Sequence, residues 1–189
     1  TNLSDETLER VAASPSSAIG TSRDKPDEKY CARIFEVFKK RNIKYFFYIG
    51  GNDSANTAYI INTMAAKSGY ELRAFHIPKT VDNDLPITDN CPGFGSVAKY
   101  VAVSTREASF DVGSMAKTST KVFIVEVMGR HAGWIAAAGG LASTDDTHIP
   151  IVILFPEVEF NEEKFLANVK EKVEKFGYCS VVVSEGVHY

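Results

Sequence analysis

Cysteine is scarce in this chain: Cys31, Cys91 and Cys179 are the only three in 189 residues, far apart and without a C-x-x-C pair. Such spacing argues against both a disulfide framework and a structural zinc site, and the expectation is of reduced thiols in a cytoplasmic protein. No run of about eighteen apolar residues occurs, so no membrane-spanning helix is predicted. The polar opening Thr1-Asn2-Leu3-Ser4-Asp5 lacks the charged-then-apolar form of a signal peptide. Positive charge is short as well. Twenty-one Lys and Arg stand against 24 Asp and Glu, a formal charge of -3, which leaves no basic face for nucleic acid. Any anionic ligand must therefore be held by local cations. Internal repeats and low-complexity segments are also missing.

What is present is an ordinary globular composition, 44% hydrophobic and 24% charged. Residues 1–26, rich in Ser, Thr, Asp and Gly, read as a short helix followed by loop. Tyr30, Ile34, Phe35 and Phe38 fall at helical spacing between Asp27 and Arg41, with Pro26 before the first turn. An aromatic strand from Lys44 to Ile49 stops at Gly50-Gly51, a helix runs from Ser54 to Ser68, and Leu72 to Ile77 forms the next strand. That is a βαβ unit, so parallel pairing is expected. A second block reads helix from Phe94 to about Phe110, strand Lys121 to Val127, small-residue helix Gly133 to Ala142 and strand Ile151 to Leu154. Asn161 then caps a helix whose apolar face is Phe165, Val169, Val173 and Phe176, Gly177 closes it, and Ser180 to Val183 is the last strand. The alternation predicts an α/β fold of two lobes, with mostly parallel sheets covered by helices on both faces. The boundary is expected between Asp84 and Gly93, where Pro86 and Pro92 punctuate an irregular stretch.

Three turns at strand ends carry candidate chemistry. Gly50-Gly51-Asn52-Asp53-Ser54 joins a strand to a helix, where main-chain N–H groups can meet a phosphate. Alone it also reads as an ordinary turn capped by Ser54. Ile77-Pro78-Lys79-Thr80-Val81-Asp82-Asn83-Asp84-Leu85 ends the next strand, and within six residues it supplies a base, a hard metal ligand and a cation. Asp82-Asn83-Asp84 by itself also fits a solvated turn. Ligands in open α/β sheets bind at such strand ends, so the two turns should face one cleft. Met128-Gly129-Arg130-His131-Ala132-Gly133-Trp134 follows a third strand. Arg130 there suits a phosphate ester and Gly129 leaves room for a sugar, or else Arg130 caps a carbonyl and Trp134 is core. Glu185, closing the last strand, suits sugar hydroxyls or is a plain surface carboxylate. Lys121 and Arg23 are further candidate phosphate contacts.

From about Ser17 to Glu185 the chain resembles the phosphofructokinase family. The resemblance rests on Gly50-Gly51-Asn52-Asp53-Ser54, Pro78 to Asp84, Met128-Gly129-Arg130 and Pro156-Glu157-Val158-Glu159-Phe160 in that order, with Ser184-Glu185 behind them. Lys79 and Asp53 look like the pyrophosphate-dependent branch, since the ATP-dependent branch usually has glycine at both places. The resemblance implies transfer of phosphoryl from pyrophosphate to the 1-hydroxyl of fructose 6-phosphate, as a step of glycolysis. Asp82 would be the base, Thr80 and Lys79 would orient and neutralise the moving group, and Asp84 with Asn52 would hold Mg²⁺. Met128, Gly129, Arg130, Glu185 and Lys121, the last from a neighbouring subunit, would contact the sugar phosphate. Gly50, Gly51, Asn52, Asp53 and Arg23 would contact the donor. Residues 1–88 would then be part of the donor lobe and 89–189 part of the sugar-phosphate lobe, in a homo-oligomer of at least two subunits.

Two departures accompany the resemblance. Asn52 stands where the family usually has aspartate, which removes one anionic oxygen from the metal side. The family's opening strand with its glycine-rich turn, and the sugar-phosphate residues that follow the position of Tyr189, are not in this sequence. The chain is thus expected to be an internal piece of a longer kinase, inactive alone. An ATP-dependent phosphofructokinase and a non-catalytic sugar-phosphate-binding regulatory module are the alternative readings.

Overall fold

The computed structural model describes residues 3–18 and 20–188. Thr1 and Asn2 of the polar opening, Ile19 and Tyr189 lie outside the described residues. Helix α1 (Asp5–Ala13) is capped by Ser4, whose hydroxyl accepts the Thr7 N–H, and buries nothing. Helix α2 (Glu28–Lys40) starts at Asp27, whose carboxylate accepts the Tyr30 N–H at 2.7 Å. Its buried stripe, Cys31, Phe35 and Phe38, has the three-to-four-residue spacing that keeps side chains on one helical face.

Strand β1 (Tyr45–Gly50), helix α3 (Asn52–Lys67) and strand β2 (Arg73–Pro78) form the expected βαβ unit. The strands pair in parallel from Tyr45 opposite Arg73 to Gly50 opposite Pro78. Helix α3 begins at Asn52, two residues before the expected start, and its N-cap is Gly51 without a side-chain cap, not Ser54. Asn52 and Asp53 therefore occupy its first turn, where the backbone N–H groups are free of helical partners. Ile61 and Ala65 of α3 join Phe35, Phe38 and Leu72 in one core. That core covers a single face of the sheet. Tyr45, Phe47, Ile49, Phe75 and Ile77 on the other face are all more than 40% exposed. The expectation of helices on both faces is wrong for this sheet, because α2 and α3 both pack on the same side of β1 and β2.

Helix α4 (Phe94–Met115) is longer than expected. Strand β3 (Val122–Val127), helix α5 (Trp134–Gly139) extended by a 3-10 turn at Gly140–Ala142, strand β4 (Ile151–Leu154), helix α6 (Glu162–Phe176) and strand β5 (Cys179–Ser184) follow. The second sheet has the order β3-β5-β4, all parallel. Val101 of α4 and Ile135 and Ala136 of α5 pack with Val127 and Val182 on one face. Phe165, Val169 and Val173 of α6 pack with Val152 and Val181 on the other. Asn161 caps α6 by accepting the Lys164 N–H at 2.9 Å, and Gly177 ends it in the left-handed region at φ 87°. Phe176 turns from that face and lies against the His148 ring. Mostly parallel sheets with helices against them make an α/β fold. Among the described residues, no helix is long and apolar enough to cross a membrane, and all three cysteines are buried and free.

Candidate active site

Parallel pairing brings the carboxyl ends of β1 and β2 side by side, so the glycine turn and the Lys79 loop become neighbours. The Lys79 N–H donates to the Gly50 carbonyl at 2.9 Å. Gly50 itself has no room for a larger residue, since an added Cβ would collide with the Ser54 hydroxyl. Across the gap, Asn52 Nδ2 donates to Asp84 Oδ2 at 3.3 Å, the contact that joins the two turns through their side chains. Asp53 faces outward and pairs with Lys25 at 3.1 Å. This ties the segment holding the exposed Arg23 to the first turn of α3. Lys25 was not recognised in the sequence, where one lysine in a polar loop carries no periodic or motif signal.

Within the loop, the Thr80 hydroxyl accepts the Asp82 N–H at 3.2 Å, so Thr80 braces the backbone of Asp82. One Asp82 oxygen, Oδ1, is buried without a hydrogen-bond partner. Its carboxyl is pushed above the usual aspartate range, first by burial, then by the charges of Asp84 and Glu185, while Arg130 and Lys79 pull the other way. An acid that keeps its proton affinity is a better base than an ordinary exposed aspartate. Those same influences show that the Lys79 loop, Arg130 and Glu185 act on one carboxylate. Asn83 follows at φ 56°, with its carboxamide hydrogen-bonded on both sides to the loop backbone at Asp89 and Cys91.

The third turn is held from beneath by β5. Because β3 and β5 pair from Val122 opposite Cys179 to Val127 opposite Ser184, Gly129 and Glu185 emerge together. The Ser184 hydroxyl donates to the Gly129 carbonyl at 2.5 Å, and the Gly129 N–H reaches Glu185 Oε1 at 3.3 Å. Gly129 has φ 123° and Gly186 lies against the Arg130 carbonyl, so a side chain at either position would clash. Glu157 adds a further tie by accepting the Gly133 N–H at 2.8 Å at the start of α5. This gives the Pro156-to-Phe160 motif a local role that its sequence did not reveal.

Asn52, Asn83, Asp84, Leu85, Pro86, Thr88, Asp89, His131, Ala132 and Trp134 line an open cleft of about 740 Å³ between the turns. Trp134 is 56% exposed on its wall and is not core. Met128 and Arg130 are exposed. Lys121 is the residue the chain does not bring here. It precedes β3, at the opposite end of the strand from Met128, and its ammonium donates to the Ala116 carbonyl. A strand of six residues puts about 20 Å between those ends.

Among the described residues, no group of three or more His, Cys, Asp or Glu is placed to hold a metal ion. One carboxylate and one amide oxygen, from Asp84 and Asn52, are nonetheless hard donors of the kind magnesium takes when phosphates and water complete its shell. In this structure Asn52 turns its Nδ2, not its oxygen, toward Asp84, so only an Asn52 amide turned about would add its oxygen to that of Asp84.

Strand ends and helix starts bordering one cleft, with the half-buried Asp82 in the loop beside it, define a parallel α/β protein with a polar site at its topological edge. The phosphofructokinase family model matches residues 1–189, and the chain belongs to that family. It is 60% identical to the pyrophosphate–fructose 6-phosphate 1-phosphotransferase of Methylococcus capsulatus, over 96% of this chain and 45% of that protein. The enzyme of the same name from Halomonas elongata is 53% identical, over 98% of this chain and 46% of that protein. A crystal structure of the pyrophosphate-dependent phosphofructokinase of Nitrosospira multiformis superposes with a TM-score of 0.90 at 62% identity, covering 97% of this chain and 46% of that one. The chain thus spans a little under half the length of these relatives.

Proposed function

We propose that this chain carries the phosphoryl-transfer residues of a pyrophosphate-dependent 6-phosphofructokinase, a glycolytic transferase. The reaction moves phosphoryl from pyrophosphate to the 1-hydroxyl of fructose 6-phosphate and gives fructose 1,6-bisphosphate. The observation that carries the reading is Asp82: a half-buried carboxylate with an unpaired oxygen, placed under the influence of Lys79, Asp84, Arg130 and Glu185. The names and identities of the relatives support the choice of donor and acceptor.

Asp82 takes the proton from the 1-hydroxyl as its oxygen bonds to phosphorus, the bridging P–O bond of pyrophosphate breaks, and phosphate leaves. Thr80 holds the backbone of that base, and Lys79 neutralises charge on the moving group. Asp84 and Asn52 would hold Mg²⁺, which when bound would screen the negative charge of the donor phosphates. Gly50, Gly51 and Asn52 offer main-chain N–H groups to the donor, Asp53 crowds the place a nucleotide would extend into, and Arg23 lies on that same side. Met128, Gly129, Arg130 and Glu185 receive the sugar phosphate. Residues 1–88 form part of the donor lobe and 89–189 part of the sugar-phosphate lobe. Lys121, at the far end of β3, serves the site of a neighbouring subunit in a cytoplasmic homo-oligomer of two or more chains. Spanning a little under half the length of these relatives, the chain has little or no turnover by itself.

Comparing pyrophosphate with ATP as donor for the full-length protein tests the assignment. Preference for pyrophosphate is expected, and preference for ATP refutes the roles given to Lys79 and Asp53. Asp82→Ser is expected to lower turnover by about 10²–10⁴-fold while fructose 6-phosphate still binds. Turnover within about tenfold of the unaltered protein removes Asp82 as the base.

A further inference from the structure

Two carboxylates separated by one residue need to serve different parts of the cleft. Asp84 faces the glycine turn, where Asn52 Nδ2 meets it at 3.3 Å, whereas the backbone of Asp82 is tied back to the Thr80 hydroxyl, which accepts its N–H at 3.2 Å. The residue between them adopts a left-handed conformation, φ 56°. It is 9% exposed and is one of the few buried polar side chains in the chain.

We propose that Asn83 is the positioning residue of this loop, the one that fastens the loop to the core and so holds Asp82 and Asp84, its two neighbours, in place. The proposal rests on the phosphoryl-transfer reading above. Asn83 Oδ1 accepts the Cys91 N–H at 2.7 Å, and Nδ2 donates to the Asp89 carbonyl at 3.3 Å. One carboxamide thereby closes the whole segment from 83 to 91 into a ring. Cys91 is fully buried, so the far end of that ring is anchored in packed protein. Leu85, 7% exposed, pins the same segment from inside, while Ile87 stands fully exposed at its tip.

The residue type follows from these demands. Asparagine tolerates the left-handed region better than most residues with a side chain, and its amide carries both a donor and an acceptor. Aspartate keeps the acceptor and loses the donor. Glycine keeps the backbone freedom and loses both. Both polar atoms of the Asn83 carboxamide are taken up by the loop backbone, so its effect passes through its two neighbours. Displacing a reacting group by about 1 Å costs on the order of 10²-fold in rate.

The test uses the full-length protein with pyrophosphate and fructose 6-phosphate, comparing Asn83→Gly with the unaltered protein. Because glycine preserves the backbone angle, any loss reports the hydrogen bonds. We expect kcat to fall about 100-fold, with both KM values and calorimetric binding of fructose 6-phosphate changed by less than about threefold. A kcat within about tenfold of the unaltered protein, or a loss expressed in KM, overturns the proposal. Should Asn83→Gly not fold, Asn83→Ala takes its place, since it too removes both hydrogen bonds and adds no charge beside Asp82 and Asp84. There, a kcat lowered by more than about tenfold at unchanged KM supports the proposal and a kcat within about tenfold overturns it. Asp82→Ser in the same assay separates the two ideas. If it leaves turnover intact, the reading of Asp82 as base fails, whatever Asn83→Gly does.

Discussion

The two sheets are built on the same parallel principle and end in opposite conditions. In the three-stranded sheet, β5 lies between β3 and β4 with helices above and below, and Val181 and Val182 are 1% and 0% exposed. In the two-stranded sheet, alternate residues of β1 and β2 are bare on one face: Tyr45, Phe47 and Ile49 are 58%, 59% and 60% exposed. The central strand of one sheet is covered on both faces among the described residues, and one face of the other sheet is bare. The loop bearing Asp82 leaves the bare sheet yet is braced at Cys91, whose carbonyl accepts the Phe94 N–H at the start of α4, so the position of Asp82 depends on both regions.

That contrast can be broken by substitution. The largest effect is expected in the covered region, where Ile135 is 1% exposed among Val101, Val127 and Val182. Ile135→Ala should cost about 2–5 kcal/mol in urea unfolding, and a loss under about 1 kcal/mol would mean this core is loosely packed. Gly139→Ala probes the same region by overfilling it, because the added Cβ would come within 2.7 Å of Val182 Cγ2. About 1–3 kcal/mol of destabilisation is expected. A neutral result would show that α5 moves away from β5 freely. The smallest effect belongs to the bare face. Phe46 and Phe47 are adjacent on β1, but Phe46 packs against Phe38 at 5.2 Å between ring centroids whereas Phe47 stacks only on its exposed neighbour Phe75. In the 189-residue chain, Phe46→Ala should cost about 2 kcal/mol and Phe47→Ser less than about 0.5 kcal/mol. Equal costs would erase the distinction between the faces.

Much of the site was legible because its chemistry is concentrated in short runs. Lys79, Asp82 and Asp84 lie within one loop, and their strand-end setting follows from the βαβ order. The same holds for Met128-Gly129-Arg130, which a small turn presents as a unit. Asn83 was read only as part of a turn, since the two atoms it binds are backbone groups six and eight residues away, and no side-chain pattern announces a backbone partner. Lys25 on Asp53 and Glu157 on Gly133 escaped for a related reason. Each joins segments far apart in the chain, at distances set by packing. The cap of α3 was misplaced because Ser54 satisfies the local rule for an N-cap, while the parallel register ends β1 at Gly50 and lets the helix begin at once.

By itself the sequence determined the order of strands and helices, their parallel sense and the residues at each strand end, because these depend on local periodicity and turn chemistry. Tertiary structure alone decided which face of each sheet is covered. Both α2 and α3 are amphipathic enough to pack on either side of β1 and β2, and only the long-range contacts choose one. It also decided the electrostatics of Asp82. A carboxylate acquires raised proton affinity from burial and from Asp84, Glu185, Arg130 and Lys79 gathered around it, and that gathering exists only once the chain has folded.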